Sequence, residues 1–259
     1  MKFYLLNMEF EPIEECKYAV IGGYRLYAWI LEEIRRRRPA LSEKIHSDRM
    51  KKIALTPLSL RDGRYRMRLT FTDEYVSRRV AQIFLKSPIL LLGDQKLRIK
   101  AIRSSVVNVT LNECRPLKSF LLKFLSPTLF RRGSNRDYLL PEPRVIVRSS
   151  LLLAERIAGL KPIGTEEEVA EERINIAMYD LRTVRAGAIT SKGIVLRGFM
   201  GWCKYDVNTS GLTEENLECL RNIDFSLRVA ELMNLGARRA MGFGHIEYHR
   251  VPLEIPLED

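Results

Sequence analysis

The sequence has few of the residues that build metal centres and disulfide frameworks. It contains three histidines and four cysteines among 259 residues. The cysteines are Cys16, Cys114, Cys203 and Cys219, and none of them forms a C-x-x-C pair or lies at zinc-binding spacing from a histidine. This pattern favours isolated buried thiols in a reducing compartment. We therefore predict no disulfide framework, no metal site and no cofactor.

Long apolar runs are also absent. No stretch approaches the roughly 20 apolar residues that a transmembrane helix needs. The chain opens with Met1-Lys2 and a short strand-like run, which is not the pattern of a signal peptide. We therefore expect a soluble, cytoplasmic protein that does not associate with a membrane.

Positive charge, by contrast, is abundant and unevenly distributed. The net charge is +11. Residues 1–115 hold 23 Lys and Arg against 13 Asp and Glu, a net charge of +10, whereas residues 116–259 hold 20 against 19, a net charge of +1. Such an excess favours a polyanionic partner, either nucleic acid or an anionic surface. The acidic run Glu166–Glu172 is interpreted as a solvated helix face.

Hydrophobic periodicity predicts the same order of elements twice, with a join near residues 110–117. Each half reads strand, helix, two strands, helix, strand, which is the ferredoxin-like order. We therefore predict an α+β fold of tandem ferredoxin-like (βαββαβ, RRM-like) domains with antiparallel sheets, at residues 1–112 and 113–259. In the second half, a hairpin is expected at 182–203, and residues 159–181 are interpreted as an insertion or an extra helix.

The segment Asn234–Gly244 carries three glycines and two arginines between a predicted helix and a predicted strand. A helix end needs only one glycine. The other glycines suggest that backbone N–H groups closely approach a ligand such as phosphate, with Arg238 and Arg239 adding bidentate contacts. A plain tight turn is the alternative.

This loop resembles the G-x-G-x5-G-F-G signature of the repeat-associated RNA-binding superfamily of CRISPR systems. Asn234 stands at the first glycine place, and Gly236, Gly242, Phe243 and Gly244 keep the rest. The segment Leu-Ser-Pro-Thr-Leu-Phe at 125–130 resembles a second motif, F-x-[ST]-P-T, found in the Cas6 endoribonucleases. The resemblance implies an RNA-binding protein whose loop contacts RNA through these residues.

Members of the resembled family place a histidine after the first helical region and a lysine a few residues later. His46, Lys51 and Lys52 match that pattern. The resemblance implies that His46 transfers protons and that Lys52, or Lys51, stabilises the charged transition state, which suits their chemistry. Some relatives complete the site with a tyrosine where Leu31 stands here. Tyr27 and Tyr24, one and two turns earlier, are candidate substitutes, and a core or base-stacking role is the alternative for both. An exposed structural role for His46 is the alternative.

A strip of arginines lies on one face of a predicted strand. Arg64, Arg66 and Arg68 alternate with apolar residues, so they share a face that can follow a phosphate backbone. Arg35 and Arg38, in a run of four arginines that ends the first long helix, extend the charge. A solvated outer sheet face is the alternative.

The resemblance implies a metal-independent endoribonuclease that cuts precursor CRISPR RNA within its repeats. Attack by a 2′-hydroxyl would leave a 2′,3′-cyclic phosphate and a 5′-hydroxyl. The alternative is a non-catalytic subunit that holds CRISPR RNA in an interference complex. The expected partner is CRISPR repeat RNA, and association with interference subunits or with a second copy of the chain is left open.

Overall fold

The computed structural model describes residues 1–15, 20–21, 23–47, 52–92, 94–132, 136–189 and 195–254. Within these ranges the chain forms two main antiparallel sheets, each with helices packed against it. The first sheet spans residues 2–108 and the second spans residues 117–252. We refer to them as the N-terminal and C-terminal domains. The predicted boundary between residues 112 and 113 lies in a short 3-10 helix, Leu111–Glu113, and stays a prediction.

The first sheet has the strand order β2-β4-β5-β1-β7-β6, with β3 also paired to β5. Its central strands follow the ferredoxin-like order, in which the first and third strands lie side by side in the middle. The strands are β1 (Lys2–Pro12), β2 (Val20–Ile21), β3 (Ile53–Leu55), β4 (Leu58–Arg61), β5 (Arg64–Phe71), β6 (Ile89–Leu92) and β7 (Gln95–Asn108). The helices are α1 (Gly23–Arg37), α2 (Pro39–Ser47) and α3 (Glu74–Lys86).

Local sequence signals account for the turns and helix starts of this domain. Asp62 and Gly63 both have positive φ, 51° and 73°, and close the two-residue hairpin between β4 and β5, since Arg61 pairs with Arg64. The Asp73 carboxylate accepts a hydrogen bond from the Val76 amide and caps α3.

The second sheet has the order β11-β12-β8-β13, which repeats the ferredoxin-like arrangement. A small separate pair, β9 with β10, follows β8. The strands are β8 (Leu117–Thr128), β9 (Phe130–Arg132), β10 (Arg136–Tyr138), β11 (Ile174–Ile189), β12 (Val195–Val207) and β13 (Ile246–Pro252). The helices are α4 (Pro143–Ala158), α5 (Glu166–Arg173) and α6 (Glu214–Met233). The predicted α+β fold of tandem ferredoxin-like domains is therefore confirmed.

The hairpin of the second domain begins earlier than expected. β11 starts at Ile174, not at 182, and the extra helix expected in residues 159–181 is α5. Most side chains between 175 and 184 are exposed, because β11 is an edge strand. An exposed edge lacks the alternation of apolar and polar residues from which a strand is predicted. Glu166 also departs from the expected solvated face, since its buried carboxylate accepts hydrogen bonds from the Ile163 and Gly164 amides.

The two domains share a packed junction. Phe3, Leu5 and Ala54 of the N-terminal domain lie in the hydrophobic core of the C-terminal domain, and Ala240 lies in the core of the N-terminal domain. Cys114, Cys203 and Cys219 are buried free thiols, as expected, whereas Cys16 lies outside the described residues. Among the helices of the described ranges, none is both long and apolar enough to cross a membrane.

Candidate functional site

The glycine-rich loop, residues 234–244, connects α6 to β13 at the junction of the domains. Phe243 is buried and packs with Leu129, which lies between β8 and β9. A short 3-10 helix within the loop, Arg239–Met241, contacts α1 and β3 of the N-terminal domain. The loop therefore belongs to the contact surface between the domains.

The glycines of this loop are required by close approach of the protein's own backbone. Gly236, Gly242 and Gly244 have φ values of 83°, 82° and 72°. A Cβ atom on Gly236 would lie 2.4 Å from the Leu129 carbonyl oxygen, and one on Gly244 would lie 1.7 Å from the Leu235 carbonyl oxygen. This internal packing differs from the reason inferred from the sequence, namely close approach to phosphate. Contact between these glycines and RNA stays a prediction.

Asn234, at the first glycine place of the motif, also connects the two domains. Its side-chain amide donates to the Leu55 carbonyl of β3 at 2.8 Å and to the Arg239 carbonyl at 3.3 Å. The Arg239 guanidinium in turn donates to the Met233 carbonyl at 3.1 Å, at the last residue of α6. Asparagine therefore supplies a buried link between the domains that glycine could not make.

Arg238 is held in a less favourable conformation. Its φ of 59° is left-handed, which is uncommon for a residue with a side chain. Its Nε–H is buried, and no hydrogen-bond partner for it lies among the described residues. Burial lowers the pKa of the Arg238 guanidinium, and the neighbouring Arg131 on β9 lowers it further, while Asp137 opposes them.

A cleft of about 1180 Å³ lies between the two domains beside this loop. Tyr27 of α1 lines it, together with residues 236–241 of the loop, β9, β10 and one side of α4. Six arginines from the C-terminal domain face the cleft: Arg131, Arg144, Arg148, Arg156, Arg238 and Arg239. The cleft is therefore cationic, although the domain that supplies these arginines is almost neutral as a whole.

A second cavity, of about 630 Å³, holds Lys52. Lys52 is exposed and lies there with Asp73 and Arg78 of the N-terminal domain. Arg156 of α4 lines both this cavity and the larger cleft. The Lys52 cavity therefore borders the same arginine as the cleft that Tyr27 lines.

The predicted catalytic residues do not share a cavity in the part of the chain that the structure describes. Tyr27 lines the cleft with the loop, and Lys52 lines the adjoining cavity, but His46 is exposed on α2 and is absent from the described linings of both. Leu31 is half-buried on α1, and its carbonyl accepts a hydrogen bond from Ser42 Oγ at 3.1 Å. Lys51 lies outside the described residues. The catalytic assignments therefore stay predictions.

The predicted arginine strip faces the open side of the first sheet, but its charges are partly used within the protein. Arg64 and Arg66 approach the Glu9 carboxylate at 3.5 and 3.6 Å. Arg68 donates to the Glu231 carbonyl of α6 at 2.7 Å, and burial lowers the pKa of its guanidinium. Arg68 is thus a contact between domains as well as a member of the strip.

The two arginines predicted at the end of α1 differ in their contacts. The Arg35 guanidinium donates two hydrogen bonds to the Glu32 carboxylate one turn earlier. Arg38, by contrast, is exposed just after the helix. An intrahelical ion pair on an exposed surface contributes little to stability, and its cation can still meet an external phosphate. RNA contact by Arg35 and Arg38 stays a prediction.

A third cavity, of about 260 Å³, lies on the same open side of the first sheet, at its meeting with the second domain. Arg61, Arg66, Arg68 and Arg103 line it with His245. Burial lowers the pKa of His245 to about 3, with further lowering by Arg68 and Arg61. His245 is therefore neutral at physiological pH.

The arginines of β9 and α4 were not singled out from the sequence. Arg144, Arg148 and Arg156 recur at helical spacing on α4, so a basic helix face was a usable signal. The near-zero net charge of the domain concealed this basic face, because acidic residues of the same domain balance the arginines in the count. Two of those acidic residues, Glu167 and Glu171 of α5, pair with Arg144. Arg131 follows the Leu-Ser-Pro-Thr-Leu-Phe segment and carried no signal of its own.

Residues 122–246 match the sequence model of the family described as CRISPR-associated endoribonuclease Cas6. The C-terminal domain is therefore similar in sequence to the Cas6 endoribonucleases over most of its length. Both motifs on which the resemblance rested lie within the matched residues, so the predicted family is confirmed. A comparison with curated protein sequences finds no significant match.

Solved Cas6 structures share the fold over nearly the whole chain. Thermus thermophilus Cas6 in a product complex has a TM-score of 0.77 at 21% identity, covering 96% of this chain and 99% of that one. A second Cas6 product complex has a TM-score of 0.74 at 23% identity and covers 96% and 100%. A Cas6-related protein from Pyrococcus furiosus has a TM-score of 0.63 at 13% identity, with 95% and 98% covered. The N-terminal domain, outside the family match, therefore also has the Cas6 fold.

Proposed function

We propose that this chain is an endoribonuclease that cuts precursor CRISPR RNA within its repeats. The observation that carries the proposal is the family match of the C-terminal domain, which contains the loop beside the cationic cleft. Similar structures are described as product and substrate-mimic complexes of Cas6, which is the same class of activity. The expected partner is therefore repeat RNA bound along the cleft and the adjoining basic surfaces.

The proposed reaction needs proton transfer and charge stabilisation at one phosphodiester. The 2′-oxygen attacks the adjacent phosphorus, the bond from phosphorus to the 5′-oxygen breaks, and the products are a 2′,3′-cyclic phosphate and a 5′-hydroxyl. His46 takes the proton from the 2′-hydroxyl or gives one to the leaving 5′-oxygen. Lys52, or Lys51, stabilises the negative charge that develops on the phosphorane. The chemistry of these side chains is sufficient for a reaction without a metal ion.

Tyr27 is the proposed third member of the site. It is the residue of α1 that lines the cleft beside the glycine-rich loop, one turn before the half-buried Leu31. His46 lies on α2, which packs against α1, whereas the Tyr27 side chain is largely buried and only borders the cleft. The proposal assigns the scissile phosphate to the N-terminal side of the cleft, next to these two helices.

The experiment is cleavage of a repeat RNA in a chelating buffer, compared between the wild-type protein and two histidine variants. His46→Ala is expected to lose at least about 100-fold in the cleavage rate, the usual contribution of a general acid or base. His249→Ala is the matched control, because His249 is exposed on β13, distant in sequence from the proposed site. Undiminished cleavage by His46→Ala would refute the role of His46. A strict requirement for Mg²⁺ would refute the metal-independent mechanism.

The second candidate function is a subunit that holds CRISPR RNA without cutting it. Two observations favour it: Leu31 stands where some relatives have tyrosine, and His46 is absent from the described linings of the cleft and of the Lys52 cavity. Tight binding of repeat RNA by the wild-type protein, without cleavage, would support this function. Co-purification with interference subunits, or a dimeric mass in solution, would then identify the partner.

A further inference from the structure

The Arg238 side chain is an unusual feature of the cleft, because no contact among the described residues offsets its cost. A residue with a side chain rarely adopts a left-handed φ such as its 59°. Its Nε–H is buried without a hydrogen-bond partner among the described residues, and an unsatisfied buried donor is destabilising. Such strain is typical of positions that serve a ligand.

Arg131 brings a second positive charge close to Arg238. The two side chains line the same cleft, from β9 and from the glycine-rich loop, and Arg131 disfavours the charged form of Arg238. Asp137, on the neighbouring β10, offsets this repulsion only partly. Two guanidinium groups that line one cleft can bind an anion between them, and phosphate matches their planar arrays of donors.

Other arginines of the cleft already have partners inside the protein. Arg144 pairs with Glu167 and Glu171, and Arg148 approaches Glu167 at 3.7 Å. Arg239 donates to the carbonyl at the end of α6. The buried donor of Arg238, next to Arg131, is therefore the feature of this wall that a ligand would complete.

We propose that Arg131 and Arg238 together clamp one phosphate group of the RNA backbone within the cleft. This inference rests on the proposed function for the identity of its ligand, since the phosphate is taken to belong to repeat RNA. The clamp positions the RNA and takes no part in proton transfer. It adds Arg131, a residue outside the glycine-rich loop, to the binding site.

The test measures binding separately from cleavage. The probe is a repeat RNA with 2′-deoxyribose at the cleavage position, which binds but has no attacking hydroxyl. Its dissociation constant is measured at several salt concentrations for the wild type, Arg131→Gln, Arg238→Gln and the double variant. Arg221→Gln is the matched control, since Arg221 lies on α6 and is absent from the described linings of the three cavities. Thermal melting confirms that each variant is folded.

If the clamp exists, each single variant binds on the order of tenfold more weakly, and the double variant is weaker by less than the product of the two effects. The slope of log affinity against log salt falls by roughly 0.7, the value for one phosphate contact on a single strand. A neutral methylphosphonate at the clamped position weakens binding to the wild type but not to the double variant. Unchanged affinity and salt slope in Arg131→Gln, which is exposed and not expected to affect folding, would overturn the clamp.

Cleavage of the all-ribose RNA by the wild type is scored separately. Wild-type protein that binds but does not cut, with weakened binding in the variants, would keep the clamp and refute the endoribonuclease. Cleavage by the wild type, with unchanged binding in the variants, would refute the clamp alone. Absence of both binding and cleavage would refute both.

Discussion

Arginines lie on both sides of the domain junction, but their contacts within the protein differ between the two sides. On the open side of the first sheet, Arg64 and Arg66 share the Glu9 carboxylate, and Arg68 bonds to the second domain. On the cleft side, Arg238 keeps a buried donor without a hydrogen-bond partner among the described residues, and Arg131 lies near it. The first side belongs to the domain with a net charge of +10, and the second to residues with a net charge of only +1.

This difference shows that net charge is a poor guide to which arginines have partners within the protein. A cation that is paired within the protein binds phosphate in competition with its partner, whereas a guanidinium without such a pair does not face that competition. If the chain binds RNA as proposed, the excess charge of the first domain attracts it at long range. The proposed clamp on the second domain would then hold the backbone locally.

The largest expected effect is a loss of stability caused by a substitution in the glycine-rich loop, which lies between the two sides of the domain junction. In Gly244→Ala, the added Cβ would overlap the Leu235 carbonyl and require a left-handed φ, so we expect a loss of about 4 kcal/mol or more in unfolding free energy. Gly211→Ala is the control: its φ of 62° is also left-handed, but nothing lies within 4 Å, so only about 1 kcal/mol is expected. Chemical denaturation measures both, and equal losses would show that the close approach is unimportant.

The link made by Asn234 is expected to be the next most sensitive. Asn234→Ala removes two hydrogen bonds across a buried contact and leaves the Leu55 carbonyl without this donor, so the unfolding free energy should fall by about 2 kcal/mol. Asn234→Gly restores the family pattern and relieves the φ of 62°, so it should lose less. If the alanine and glycine variants are equally stable, the positive φ has no measurable cost.

The neutral His245 on the open side predicts a pH dependence. Its pKa is about 3 in the folded protein but near 6.5 in an unfolded chain, so the unfolded state binds a proton first as the pH falls. The unfolding free energy should therefore fall by about 2 kcal/mol between pH 7 and pH 5 through this group. Denaturation of the wild type and of His245→Gln over this range checks it. Parallel pH profiles would show that His245 is not the cause.

The smallest expected effect concerns the ion pairs of the arginine strip. Glu9→Gln frees Arg64 and Arg66, so affinity for repeat RNA should rise about twofold to threefold if the strip binds the backbone, the range expected for exposed ion pairs. Glu113→Gln is the control, because Glu113 pairs with Arg228 near the domain linker. An unchanged affinity would indicate that the strip is a solvated sheet face.

Much of the fold could be predicted from short-range signals. The Asp62-Gly63 turn, the Asp73 cap and the alternation of β5 all have local causes, and the structure has each of them. The start of β11 could not be predicted, since an edge strand exposed on both faces has no hydrophobic alternation. The cleft could not be predicted either, because its walls come from α1, β9, α4 and the loop, which are separated by up to about 200 residues.

The glycine-rich loop was recognised from the sequence, but the structural reason for its glycines was not. The pattern of Gly236, Gly242 and Gly244 identified the family, because the spacing of glycines is a local property of the chain. Only the tertiary structure showed that Leu129 and Leu235 carbonyls occupy the space where Cβ atoms would lie. It also decided which arginines have partners, since an ion pair depends on which side chains folding brings within a few ångströms. Sequence alone therefore determined the fold and the family, and packing determined where charge remains available for a ligand.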